Sequence, residues 1–81
     1  MARIQLSSSL KQYTGGETEF ELEVTNVRQL FRRLGERFPE LQAHLEGNVA
    51  VALDGVIYQD ALLQPIGANG EVFLIDRITG G

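Results

Sequence analysis

The chain has 81 residues, 43% of them hydrophobic and none of them cysteine, which suits one small domain with a single core and excludes disulfides and thiolate metal sites. Its formal net charge of −4, from eleven acidic and seven basic side chains, argues against a nucleic-acid partner, because phosphate backbones are bound by dense positive charge. No stretch approaches the roughly 20 apolar residues that cross a bilayer, so we expect a cytoplasmic protein that does not bind membranes.

Two strands joined by a glycine turn are predicted at the N-terminus. Residues 3–10 place Ile4 and Leu6 two apart, which is the spacing of a half-buried strand. Residues 17–24, "ETEFELEV", alternate strictly between glutamates and mostly apolar side chains. The glutamates are expected on a solvated face. The "TGG" between the two segments supplies turn chemistry, so the opening unit is predicted to be a hairpin.

A helix is predicted next, because the apolar spacing changes. Apolar residues recur three and four apart from Val27 to Phe38, which lines one stripe of an α-helix. Thr25 or Asn26 is the expected N-cap, and Pro39 is expected to end the helix. The arginines of this segment lie largely off the stripe and are expected to be solvated.

The second half of the chain predicts one helical turn and three strands. The turn is expected around Leu41 and Leu45. Residues 49–53 alternate and lead into Asp54-Gly55, a strong hairpin signal, with a short strand after it. The last segment, "EVFLID", contains four consecutive apolar residues and indicates a central strand.

This element order predicts an α+β fold of the β-grasp, or ubiquitin-like, architecture. We expect a mixed sheet of four or five strands with one main helix packed on one face, and with the first and last strands as parallel neighbours in its middle. Another small α+β arrangement is the alternative. Residues 1–81 are expected to form a single domain, with residues 76–81 as an extended C-terminal tail.

No internal catalytic or metal site is predicted. His44 is the only histidine, and no cysteine accompanies it to make a zinc site or a Cys-His pair. Three consecutive serines at 7–9 are expected at a strand edge or turn, without the strained elbow that exposes a nucleophile. "GANG" at 67–70 lacks the lysine of a phosphate loop and is expected to be a turn. We expect this chain to bind no cofactor itself.

The sequence ends on Gly80 and Gly81. Two glycines at a given place occur by chance in roughly 0.5% of chains, from a glycine usage of about 7%. A frayed end is one interpretation. The other is a reactive terminus, because ATP can activate the Gly81 carboxylate by adenylation and residues without a Cβ can thread a narrow channel. Extended at about 3.3 Å per residue, residues 76–81 span about 20 Å, enough to enter another protein's active site.

At its C-terminal end the chain resembles the MoaD/ThiS family of ubiquitin-like sulfur carriers. "GANGEVFLIDRITGG" matches the family's polar glycine turn, Glu-Val-led strand, aliphatic residue and terminal Gly-Gly, and "FRRLGERFPEL" resembles the family's helix. Ile78, Thr79, Gly80 and Gly81 stand where the small subunit of molybdopterin synthase carries Val-Thr-Gly-Gly.

The resemblance implies that the chain is a protein-bound sulfur donor and not an enzyme. An adenylyltransferase similar to ubiquitin-activating enzymes would adenylate Gly81 with MgATP, and a sulfurtransferase or persulfide would supply sulfur. The resulting thiocarboxylate would pass sulfur to an acceptor synthase subunit. Ile78, Thr79 and Gly80 would occupy the partner's channel.

The resemblance favours molybdopterin as the product, while thiamin or cysteine stays open. Molybdopterin-type carriers usually have a stiff proline pair where this chain has Asp76 and Arg77. Two other functions also stay open, a ubiquitin-like modifier joined to lysine and a plain β-grasp binding module.

A docking surface is predicted on the sheet face away from the helix. If Val72 and its alternate residues face the helix, Phe73 and Ile75 lie on the open face, with Val51 or Leu53 from a neighbouring strand. Exposed apolar residues of this kind mark protein interfaces. The alternative is that the domain's own loops cover this face.

Overall fold

The computed structural model describes residues 1–45, 49–58 and 62–76. In chain order the described elements are β1 (Ala2–Leu6), a 3-10 helix (Ser8–Tyr13), β2 (Glu19–Leu22), α1 (Val27–Arg37), α2 (Pro39–Leu45), β3 (Val49–Leu53), β4 (Val56–Tyr58) and β5 (Glu71–Asp76). No helix within these ranges is long and apolar enough to cross a membrane.

The five strands form one mixed sheet in the order β2-β1-β5-β3-β4. β1 and β5 run parallel in its centre, and every other neighbouring pair is antiparallel. The predicted β-grasp architecture is therefore confirmed, including the parallel pairing of the first and last strands. β5 has a neighbour on each side and is the central strand that its apolar run predicts.

The core lies between the helices and one face of the sheet. α1 contributes Val27, Leu30 and Leu34, each with no exposed surface. Alternate residues of the strands face them, since side chains along a strand alternate between the two faces. The strand residues of the core are Ala2, Ile4, Leu6, Phe20, Val49, Val51, Val72 and Leu74.

The N-terminus of α1 is closed by hydrogen bonds. Of the two predicted N-cap residues, Thr25 and Asn26, the N-cap is Asn26. Its side chain accepts a hydrogen bond from the Gln29 N–H at 2.7 Å. The N–H groups of Val27 and Arg28 donate to the carbonyls of Gln64 and Leu62, both at 3.0 Å. Because the first N–H groups of α1 already have acceptors, this helix end is not available to an anion.

Two elements differ from the prediction. β1 ends at Leu6, and residues 8–13 form a 3-10 helix, because the chain turns at Ser7 and brings Leu10 onto the core, where it is completely buried. Pro39 ends α1 but also opens α2, a helix of 7 residues where one turn was expected. Proline is well suited to that first helical position because its missing N–H is not needed there.

Candidate functional site

The predicted reactive end lies outside the described residues. Ile78, Thr79, Gly80 and Gly81 all belong to this part of the chain. The structure therefore describes the candidate site up to Asp76, the residue that closes β5. The described part of the site is the end of β5, from which the tail starts, and the open face of the sheet beside it.

β5 is held along both edges up to that point. Val49 of β3 is the partner of Asp76 on one side. On the other side the Ser7 N–H donates to the Leu74 carbonyl at 2.8 Å, and the Asp76 N–H donates to the Ser7 hydroxyl at 3.3 Å. The tail therefore starts from a fixed position in the middle of the sheet.

Phe73 and Ile75 lie on the sheet face away from α1, as predicted. Phe73 is 38% exposed, whereas Ile75 is half-buried. Their partners on β3 are Ala52 and Ala50, and Ala52 is in turn paired with Ile57 of β4. Residues directly opposite in an antiparallel pair share a face, so these five residues form one patch, which we call the apolar patch.

The two neighbours suggested for this patch from the sequence are wrong. Val51 is paired with Leu74 and is only 2% exposed, and Leu53 is paired with Val72. Both therefore lie on the core side of the sheet. The alternation along β3 was read correctly, but the face depends on register across β5, which a single strand's sequence does not specify.

The same open face becomes acidic towards β2. The register brings Gln5 beside Phe73 on one side and Glu19 on the other, and the Gln5 amide donates to the Glu19 carboxylate at 3.3 Å. Glu19 and Glu21 are exposed, and so is Arg3, which is paired with Glu21 on this face. Since strands lie about 4.8 Å apart, Glu19 is about 10 Å from Phe73. This acidic edge, Glu19 and Glu21, borders the apolar patch, a relationship that the alternation within β2 alone could not reveal.

Two polar residues elsewhere in the described ranges, Asp54 and His44, make contacts between elements of the fold. The Asp54 carboxylate accepts from the Glu71 N–H at 2.9 Å and so ties the β3–β4 turn to β5. His44 is half-buried, and its ring stacks on Tyr13 with centroids 4.2 Å apart. Within residues 1–45, 49–58 and 62–76, no three histidine, aspartate or glutamate side chains are grouped as metal ligands.

A family model described as the ThiS family matches residues 4–81 of the chain. The match covers almost the whole sequence, and it runs through the apolar patch, the end of β5 and both terminal glycines. No curated protein is significantly similar to the chain in sequence.

Several solved structures share the fold. A crystal structure of a BexX/CysO complex from Amycolatopsis orientalis matches with a TM-score of 0.83 and 16% identity, covering 100% of both chains. The solution structure of small archaeal modifier protein 1 from Methanosarcina acetivorans matches with a TM-score of 0.81 and 17% identity, over 99% of this chain and 95% of that one. A complex of subunits 1 and 2 of the molybdopterin-converting factor from Helicobacter pylori 26695 gives 0.68 and 20%, over 99% and 97%. At these identities the likeness is one of fold.

Proposed function

Because the chain belongs to the ThiS family, we propose that it is a sulfur carrier whose terminal carboxylate, on Gly81, is converted to a thiocarboxylate. The observation that carries this proposal is the family match through residue 81, which includes the terminal Gly-Gly. The position of β5 supports it, because the strand that leads to the glycines lies in the centre of the sheet and is paired on both sides.

The proposed chemistry takes place on partners, and this chain is the substrate. A carboxylate oxygen of Gly81 attacks the α-phosphorus of MgATP, and pyrophosphate leaves. With hydrosulfide as the donor, its sulfur attacks the acyl carbon, a proton is released, and AMP departs with one former carboxylate oxygen. A persulfide donor gives an acyl disulfide instead, which a thiol must reduce. Neither route needs a catalytic side chain on the carrier.

The tail residues have a steric role in this proposal. Gly80 and Gly81 have no Cβ, so they can pass through a channel too narrow for a side chain. Ile78 and Thr79 precede them and are proposed to contact the walls of that channel. The extended reach of about 20 Å for residues 76–81 allows the carboxylate to enter the partner's active site while the folded domain stays outside.

The apolar patch is the proposed docking surface for these partners. An apolar side chain that is 38% exposed in the middle of a sheet, as Phe73 is, gains from being covered by another protein. The acidic edge beside it favours a partner surface with arginine or lysine next to its own apolar residues. Two of the structures that share the fold are complexes of two proteins, which is consistent with a protein partner.

Molybdopterin, thiamin and cysteine synthesis are the candidate destinations of the sulfur. Similarity to a molybdopterin-converting factor complex favours the first. Asp76 and Arg77 stand where molybdopterin-type carriers usually have a stiff proline pair, and this difference in sequence argues against the first destination.

Conjugation to lysine is a second candidate function. The likeness to small archaeal modifier protein 1 favours it, with a TM-score of 0.81. The same acyl adenylate would serve, with a lysine amine as the attacking group in place of sulfur. An isopeptide-linked Gly81 in cell extract would support the modifier over the carrier.

Adenylation can be tested before the sulfur step. The activating enzyme of the same organism is incubated with the chain, MgATP and labelled pyrophosphate, and exchange of label into ATP is measured. We expect exchange with the full chain and none after deletion of Gly81, while circular dichroism reports an unchanged fold. Equal exchange with both chains would exclude the Gly81 carboxylate as the reactive group.

A further inference from the structure

The backbone hydrogen-bond ladder between β1 and β5 ends at Ser7, and the next bond is made by a side chain. The Ser7 N–H continues the ladder by donating to the Leu74 carbonyl at 2.8 Å. In a regular parallel ladder the next bond would run from the Asp76 N–H to the Ser7 carbonyl. That carbonyl has turned away, because it accepts from the Leu10 N–H at 2.9 Å in the first turn of the 3-10 helix.

The Ser7 hydroxyl takes the place of the missing carbonyl. It lies 3.3 Å from the Asp76 nitrogen and accepts from its N–H. The same hydroxyl shares a hydrogen bond of 3.1 Å with the Ser9 hydroxyl, and a hydroxyl can make both bonds because it has one donor and two acceptor positions. One side chain therefore completes the sheet at the last described residue of β5, where β1 has already left it.

We propose that Ser7 is a positioning residue that fixes where the C-terminal tail leaves the sheet. The Asp76 N–H points towards β1, as the Gly70 and Leu74 carbonyls do, so β3 does not supply its acceptor. Without the hydroxyl this N–H loses its bond, and the end of β5 is held by β3 alone. This inference rests on the proposed function only in that the tail carries the reactive carboxylate.

The role of Ser7 has a kinetic consequence. A tail that is held at Asp76 enters a partner's channel with fewer conformations to lose, whereas a released tail must be ordered at the moment of binding. This cost falls on binding and not on the chemical step. Loss of the hydroxyl is therefore expected to raise the KM for the carrier by roughly two- to tenfold, the range of one net hydrogen bond, with kcat unchanged.

Matched variants isolate the hydroxyl. Ser7→Thr keeps the hydroxyl. Ser7→Val introduces a side chain of nearly the same shape and β-propensity as threonine but without the hydroxyl. Ser7→Ala is the simple deletion, and Ser8→Ala is the control because the Ser8 side chain is exposed. The Thr and Val pair keeps the test valid even if the alanine variant fails to fold.

The test has two readouts. Amide hydrogen exchange by NMR on the isolated protein reports the Asp76 N–H directly, with the Leu74 amide as internal reference. Steady-state adenylation reports KM and kcat. We expect Asp76 exchange to be about tenfold faster in Ser7→Val than in Ser7→Thr, with KM raised and kcat unchanged. Ser7→Thr and Ser8→Ala should match the wild type in both.

Two results would overturn the inference. Equal Asp76 exchange in the Thr and Val variants would mean that the hydroxyl does not hold this amide. Faster exchange with an unchanged KM would mean that the bond does not position the tail for its partner. Failure of the proposed function can be told apart from failure of this inference. If the proposed function fails, the wild type itself shows no adenylation, whereas the exchange measurement still shows whether the bond between Asp76 and Ser7 exists.

Discussion

Phe73 lies directly opposite Ala52 across the antiparallel pair of β5 and β3. The alanine side chain ends at Cβ and is too short to cover the Phe73 ring on that side. Phe73 therefore keeps 38% of its surface exposed. This occurs in the central strand of the sheet, where side chains are usually well covered. The pairing thus leaves an apolar side chain exposed on β5, the strand that precedes the C-terminal residues.

Phe73→Asp is expected to weaken docking strongly while leaving the fold intact. A charge in the middle of an apolar contact must be desolvated on binding, so the KM of the carrier in adenylation should rise by at least about tenfold. The matched control is Leu63→Asp, because Leu63 is 84% exposed and lies outside the apolar patch. Equal KM values for the two variants would show that the patch is not the docking surface.

Charge reversal at Glu19 and Glu21 is expected to slow association with the activating partner. Removing negative charge beside the patch lowers electrostatic steering, so the association rate constant should fall by about tenfold at low salt and converge with the wild type at high salt. Glu36→Lys is the control, since Glu36 is exposed on α1. Stopped-flow mixing measures the rates. A salt-independent difference, or an equal effect of the Glu36 change, would contradict this role for the acidic edge.

Leu34→Ala is expected to lower the free energy of unfolding by about 2–5 kcal/mol, because the wild-type side chain is fully buried and its loss leaves a cavity. For so small a domain this is a large part of the total stability. Urea denaturation followed by circular dichroism measures it. Phe73→Ala should cost much less, and a cost as large as that of Leu34→Ala would mean that Phe73 is part of the core.

Asn26→Ala is expected to destabilise the protein by about 1 kcal/mol, because the Gln29 N–H loses its 2.7 Å cap. Thermal unfolding detects this as a lower Tm. Adenylation at a temperature where the variant stays folded should equal that of the wild type, since α1 lies on the other side of the sheet from the apolar patch. A reduced kcat in the folded variant would argue against this separation.

Local signals explain which elements were predictable. The Asn26 cap and the apolar stripe of α1 act within a few residues. Asp54-Gly55 indicated a hairpin, and both residues have the positive φ that its turn requires, 49° and 89°. The parallel pairing of β1 with β5 followed from element order and from the apolar character of β5.

Non-local contacts explain what was missed. Leu10 is buried only because the chain turns at Ser7 to bring it onto the core, so residues 8–10 were assigned to a strand. Arg37 is exposed, as expected, but its guanidinium also lies over the rings of Phe20 and Phe38, at 5.3 and 5.5 Å from their centroids, a contact that the helical pattern does not indicate. The bond from Asp76 to Ser7 joins positions 69 residues apart, which no local pattern can indicate.

Intact-mass spectrometry of the carrier after complete turnover tests the sulfur-carrier proposal most directly. The chain is incubated with its activating enzyme, MgATP and sulfide, and a parallel sample lacks ATP. We predict a mass increase equal to the difference between sulfur and oxygen, located on Gly81 by fragmentation and dependent on ATP. An adenylated chain that gains no sulfur from sulfide or from a persulfide donor would contradict it.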